Sequence, residues 1–232
     1  MSDSRLQHSK RSFSVFAILA SIIMGILLFQ FAGVVFVQLG IEPWLVIVII
    51  IGSLLGSMVN IPVTTIQSQS DKCPDAEYVS LWGFSYRVVQ PDCPGETLIS
   101  VNLGGAVIPV LVSAYLLLIH PQTIPVALLG ILIVSVFVKA IARVEPNVGI
   151  VTPGLLPPLV AGIASTALML FLPGMFSPHV LAYVSGTLGT LIGADLLNLN
   201  KIAELQTGSA SIGGAGTWDG VFLAGLLAVF FV

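Results

Sequence analysis

Charge is what this sequence has least of. Only 8% of its 232 residues are charged, where a soluble domain carries about 25%. So few charges cannot cover a water-facing surface, and most of the chain must therefore face something apolar. Lysine and arginine together number eight and the net charge is −3, which excludes a basic surface for nucleic acid. Cysteine is nearly absent: two residues cannot build the disulfide framework of a small secreted domain. Cys73 and Cys93 would supply only half of a four-ligand zinc site, and the cytosol expected for them disfavours a bond between them. No metal and no cofactor is expected. Gly213-Gly214-Ala215-Gly216 lacks the lysine and the strand–helix setting of a phosphate loop.

What is present is apolar residue in long runs. A helix needs about 20 residues to cross the hydrocarbon core, and seven stretches reach or approach that length: residues 14–37, 44–64, 101–119, 124–141, 153–172, 179–199 and 218–232. The first follows Lys10 and Arg11 but is longer than the roughly 7–15 residues of a signal peptide's apolar region, so it reads as a retained span. The fifth opens on Pro153-Gly154-Leu155-Leu156-Pro157-Pro158, which predicts an irregular first turn. The fold expected is an all-α integral membrane bundle of about seven transmembrane helices. It forms a single polytopic domain over residues 1–232, with a cytosolic tail at 1–12 and a cytosolic loop at 67–100.

The loops alternate in kind. Residues 40–43, 120–123 and 173–178 are tight connections; residues 67–100, 142–152 and 200–216 are longer. Arg5, Lys10, Arg11, Lys72, Arg87, Lys139, Arg143 and Lys201 all fall with the tail and the longer loops. The positive-inside rule puts that face in the cytosol. The expected location is thus the cytoplasmic membrane, amino terminus inside and carboxyl terminus outside, with the lipid bilayer as the one partner implied and the substrate left open.

In the second loop, residues 78–89 are rich in aromatic and β-branched side chains. Pro91 to Glu96 reads as a turn, and residues 97–100 as a return strand. This predicts a small cytosolic β-hairpin between spans two and three, seated at the membrane surface by Trp82, Phe84 and Tyr86. A scaffold or partner-binding role would centre on it. Ser185, Gly189 and Gly193 recur every four residues, as do Gly52 and Gly56; small residues at that spacing let helices approach closely.

Polar groups within apolar spans are costly and mark candidate sites. Asn60, Asn102, Asp195, Asn198 and Asp219 fall at similar depth toward the cytosolic ends of spans two, three, six and seven. Asp195 and Asp219 invite a specific chemistry. Two close carboxyl groups share one proton, so one acts as base toward water and the other as acid toward a carbonyl. Asp195, Asn60 and Asn102 could instead line a path for an ion or small solute. Plainer roles are also open: Asp219 as a helix cap, Asp195 as a residue reaching the headgroups. At about 100° per residue, Asp195 sits about 200° from Gly193. Span six must therefore be buried on two sides, or break near Gly193, for both residues to be used.

Gly193-Ala194-Asp195 and Trp218-Asp219-Gly220 bear a partial resemblance to membrane aspartyl proteases of the presenilin and signal-peptide-peptidase kind. Ala194 stands where those enzymes have tyrosine, and Thr217-Trp218 interrupts their Gly-x-Gly-Asp motif before Asp219. A second set of motifs is more specific: Val59-Asn60-Ile61-Pro62; residues 101–109, starting Val101-Asn102-Leu103-Gly104-Gly105; Pro153 to Pro158; residues 186–199; and Ser211-Ile212-Gly213-Gly214 through Gly220. These resemble an uncharacterised prokaryotic membrane protein family, a domain of unknown function. That resemblance implies a prokaryotic inner membrane and brings no activity with it.

Overall fold

The computed structural model describes residues 3–67, 78–81, 84–87, 96–145, 149–174, 176–202, 209–214 and 220–232. The chain divides into two compact units, Met1–Ile50 and Ile51–Val232.

The first unit holds α1 (Asp3–Gln38) and the start of α2 (Pro43–Gly56). The tight turn between them is legible in its residues. Gly40 takes φ 81°, the left-handed conformation glycine adopts freely. Gly40 N–H donates to Val37 O and Ile41 N–H to Phe36 O, the paired bonds that end a helix on glycine. Pro43 opens α2, where its missing N–H costs nothing.

In the second unit, α6 (Pro178–Thr190) is the hub, with α3 (Ile108–Ile119), α4 (Ile124–Ile141), α5 (Leu156–Phe171) and α8 (Gly220–Phe230) packed on it. The expected small-residue stripe does this work. A Cβ on Gly189 would lie 2.6 Å from Val134 Cβ, and one on Gly193 2.6 Å from Ser135 O, both on α4. Gly130 of α4 faces Leu181 and Ser185 in turn. Gly186 and Gly225 do the same between α6 and α8. Lipid tails are as apolar as leucine, so close backbone packing takes the place of the hydrophobic drive. The outward faces of α1 to α5 carry exposed Leu, Ile, Val and Phe.

Three helical stretches are long and apolar enough to cross a membrane: Ile18–Gln38, Pro121–Ile141 and Pro178–Lys201. Four shorter apolar helices accompany them, Pro43–Gly56, Leu103–Ile119, Leu156–Phe171 and Gly220–Phe230. They fall where the remaining four spans were expected. In α5, Pro157 and Pro158 of the opening motif occupy the first turn, where helices accept them, and Pro153 precedes the helix.

The fold is not purely helical. The stretch expected as span two stops being helix at Gly56, and Asn60–Gln67 is a strand, β1. Ile61-Pro62-Val63-Thr64-Thr65-Ile66 is apolar enough to read as the end of a span, but its β-branched residues favour an extended chain. The hairpin expectation needs a matching correction. β2 (Tyr78–Leu81) and β3 (Phe84–Arg87) pair antiparallel with each other. The expected return strand is part of β4 (Glu96–Asn102), which instead pairs antiparallel with β1 and parallel with β7 (Ser209–Ile212). The β1–β4 register shifts between Pro62 and Thr64, where a proline cannot donate to the ladder. Cys73, Trp82 and Cys93 lie outside the described residues. β5 (Arg143–Glu145) and β6 (Gly149–Val151) form a short hairpin between α4 and α5. Ile99 of β4 is buried among Ile66, Ile150, Leu199, Ala210 and Ile212. Described residues from all three longer connections thus pack together here.

Candidate functional site

The site is built where the sheet meets two irregular helical turns. Asn102 ends β4 and caps a π-helix, Leu103–Val107, which leads into α3. Its side chain is almost fully used. The amide nitrogen donates to Ser57 O at 2.7 Å and to Asn60 Oδ1 at 3.0 Å. Its oxygen accepts from Gly105 N–H at 2.7 Å. Asn60 Oδ1 also accepts from Ser211 Oγ at 2.7 Å. One buried amide therefore ties β1 to β4 and to the last residues of the α2 turn, while Asn60 extends the tie to β7. Gly104 permits the approach: a Cβ there would fall 2.0 Å from Ser53 O, and Ser53 Oγ donates to Gly104 O at 2.7 Å.

The second irregular turn is in α6. After Thr190 the helix widens to a π-helix, Leu191–Asp195, then tightens to a 3-10 turn, Leu196–Asn198, before the short α7 (Leu199–Ile202). Both conditions posed by the spacing of Gly193 and Asp195 are met: α6 is buried along its length, and its regular winding breaks at this point. Single π-turns within α-helices are found frequently at functional sites. Asp195 Oδ2 accepts from Gly213 N–H at 2.7 Å. Gly213 has φ 65°, and a Cβ on it would lie 2.6 Å from Ala106 Cβ. The Gly213 turn is thus wedged between the two π-helices, resting on one and holding the carboxylate of the other. Leu191, Ala106 and Val221 are packed beside it.

Of the residues singled out from sequence, Asn60 and Asn102 are bonded to each other. Asp195 joins the same assembly through Gly213, two residues beyond Ser211. Asn198 turns away: its amide nitrogen donates to Gly193 O at 2.9 Å and Ala194 O at 3.0 Å, holding carbonyls at the widened turn. Asp219 lies outside the described residues. Ser57, Ser211 and Gly213 were missed as site residues. Gly213-Gly214 was the available signal, weighed only as a phosphate loop and set aside. Among the described residues, no group of His, Cys, Asp and Glu is arranged to hold a metal ion.

Residues 54–231 match the model of a protein family described as protein of unknown function (DUF1614). The chain belongs to that family. The match opens inside α2, so it takes in the sheet, both π-helices and every candidate residue, and leaves α1 outside. No curated protein matches the chain, and no solved structure does. The partial resemblance to presenilin-type proteases finds no counterpart in these comparisons.

Proposed function

We propose that this DUF1614 protein is a multi-pass protein of the cytoplasmic membrane that binds and moves a small solute or ion, with Asp195 as the charged ligand of its site. In this reading all seven apolar helices cross, the four short ones completing their crossing with the strands or turns at their ends. The tail and the three longer connections lie in the cytosol, as the placement of every lysine and arginine supports. Asn60, Asn102, Asn198 and Asp195 then lie toward the cytosolic ends of spans two, three and six.

One observation carries the reading. The sole acidic residue of the 24-residue apolar stretch Pro178–Lys201 sits where that helix loses its α-form, and a backbone amide from a distant segment receives it. A carboxylate at membrane depth is expensive and marks solute or ion paths. Non-helical backbone at that depth is tolerated where protein buries it or where it lines a cavity. Broken helices meeting at a polar site are how many secondary transporters hold their ligands.

The test is reconstitution into liposomes that enclose a pH-sensitive or a sodium-sensitive dye. Asp195→Asn keeps an acceptor for Gly213 N–H, so the variant is expected to fold and to lose at least tenfold in flux. Flux unchanged in that variant would remove Asp195 from the path.

A second reading, the Asp195–Asp219 proteolytic pair, draws support from the Leu191–Val221 packing. Asp195 follows Leu191 by four residues and Asp219 precedes Val221 by two. Under it, Asp195→Ala and Asp219→Ala each abolish cleavage of a membrane-anchored reporter while the protein stays folded. Cleavage surviving either change ends that reading.

A further inference from the structure

One polar side chain in the first unit has no place in the candidate site. Gln30 lies inside the 21-residue apolar stretch Ile18–Gln38 of α1. It is exposed, and among the described residues no hydrogen bond reaches its amide. At 1.5 Å rise per residue it is about 12 Å from Gln38 and about 18 Å from Ile18. Lysine and arginine reach the headgroups from within a span by snorkelling on long stems. Glutamine is too short to do so from this depth. An amide with nothing to bond in hydrocarbon is unfavourable, and such side chains in membrane helices hydrogen-bond across to a neighbouring helix.

The rest of α1 shows where that neighbour must lie. Ala32, Val35, Phe36 and Leu39 are at most 2% exposed, so the end of α1 is already packed on one side. At 100° per residue these four sit about 120–180° around the helix from Gln30. The amide therefore points away from the packing that this chain supplies. On its own side, Ala20, Ile23, Leu27, Val34 and Val37 are all exposed. Together with Gln30 they recur at alternating steps of three and four residues, the spacing of a helix–helix seam with one polar position in it.

The chemistry of the amide names the occupant. It carries two donor hydrogens and an acceptor oxygen, so its natural complement is another amide. Copies of one chain enter the membrane in the same orientation. A two-fold axis along the membrane normal then sets two α1 helices parallel and brings residue 30 against residue 30, the self-complementary contact of a symmetric dimer. A single polar residue in such a seam also fixes its register.

We propose that α1 is a self-association helix, joining two copies of this chain through a Gln30–Gln30 amide pair. The proposal goes beyond the transport reading and does not rest on it: Gln30 lies outside the residues matched to the family. The test uses the full chain in liposomes, half of it carrying a donor dye and half an acceptor, with energy transfer followed as lipid dilutes the protein. Transfer is expected to fall along a monomer–dimer curve. Gln30→Leu keeps the bulk and loses the amide, so its dissociation constant should rise about tenfold. Gln30→Asn keeps a self-complementary amide and should stay nearer the parent. In a background without Cys73 and Cys93, Leu27→Cys on the seam should oxidise to a covalent dimer. Ser21→Cys, about 180° from Gln30, should not. A parent that is monomeric at every dilution overturns the proposal and assigns the amide to a different protein's helix. So does a Gln30→Leu variant that associates as the parent does, or a Ser21→Cys variant that cross-links as readily as Leu27→Cys. Flux lost in Asp195→Asn with association intact, or association lost in Gln30→Leu with flux intact, tells the two proposals apart.

Discussion

At the scale of single residues, the Asn102 side chain makes three hydrogen bonds. Both amide hydrogens and the oxygen are engaged, and the residue is buried. Removing it strands the buried Gly105 N–H and takes the donor from the part-buried Ser57 O. Asn102→Ala should therefore cost about 2–3 kcal/mol, in line with the penalty for a buried group left unpaired, read as a lower Tm of the purified protein. Asn102→Asp is the sharper test. It keeps the acceptor for Gly105 but turns a second oxygen toward Ser57 O and Asn60 Oδ1, so it should destabilise at least as much as alanine. A mild effect of aspartate would mean the amide nitrogen matters little. Gly213 makes a similar case. Alanine there meets both a positive φ and Ala106, and the left-handed conformation alone costs about 1–2 kcal/mol for a residue with a Cβ. Gly33→Ala, where nothing lies within 4 Å, should leave Tm unchanged or raised. Asn60 and Asn102 stood out in the sequence because amides are rare in apolar runs. Ser57 and Ser211 did not, because serine is common in such runs and only position reveals its partner.

At the scale of elements, α6 shows how packing and irregularity share one segment. Its glycine stripe was legible because four-residue spacing on a helix has a fixed meaning, and the stripe does face α4. Gly189→Leu would drive a side chain into Val134, whose Cβ already lies 2.6 Å from the place of a glycine Cβ. That variant should fold poorly or lose Tm by several degrees, whereas Gly33→Leu should not. The π-turn after Thr190 was signalled in the sequence only by the offset of Asp195 from Gly193, and only as an alternative to burial on two sides. Residues 186–199 are as apolar as a plain helix would be. The widening is tied to contacts from elsewhere: the Gly213 amide on Asp195 and the Ser135 backbone against Gly193. The end of α2 misled for a related reason. Ile61, Val63 and Ile66 carry the hydropathy of a span, and hydropathy does not separate a helix from a strand in so short a run.

At the scale of the whole molecule, residues from the three longer connections of the second unit meet around Ile99. That agrees with a chain whose basic residues all fall with the tail and the longer connections. The proposed orientation makes two further predictions. In a background without Cys73 and Cys93, a Thr65→Cys probe on exposed β1 should react with an impermeant maleimide in inverted vesicles and not in intact cells. Reporter fusions at the two termini should report opposite sides of the membrane. Same-side termini would require an even number of crossings and would place at least one short helix outside the bilayer.

The sequence by itself determined that the chain carries helices apolar enough for a membrane, where those helices fall, and which amides and acids lie among them. Those properties are local: sparse charge, run length and four-residue spacing act wherever the chain goes. Only the tertiary structure decided that β4 pairs with β1 and with β7, about a hundred residues away, and that Gly213 receives Asp195. Those features depend on which backbones come within hydrogen-bonding reach. That is a property of the packed bundle, and no single stretch of sequence contains it.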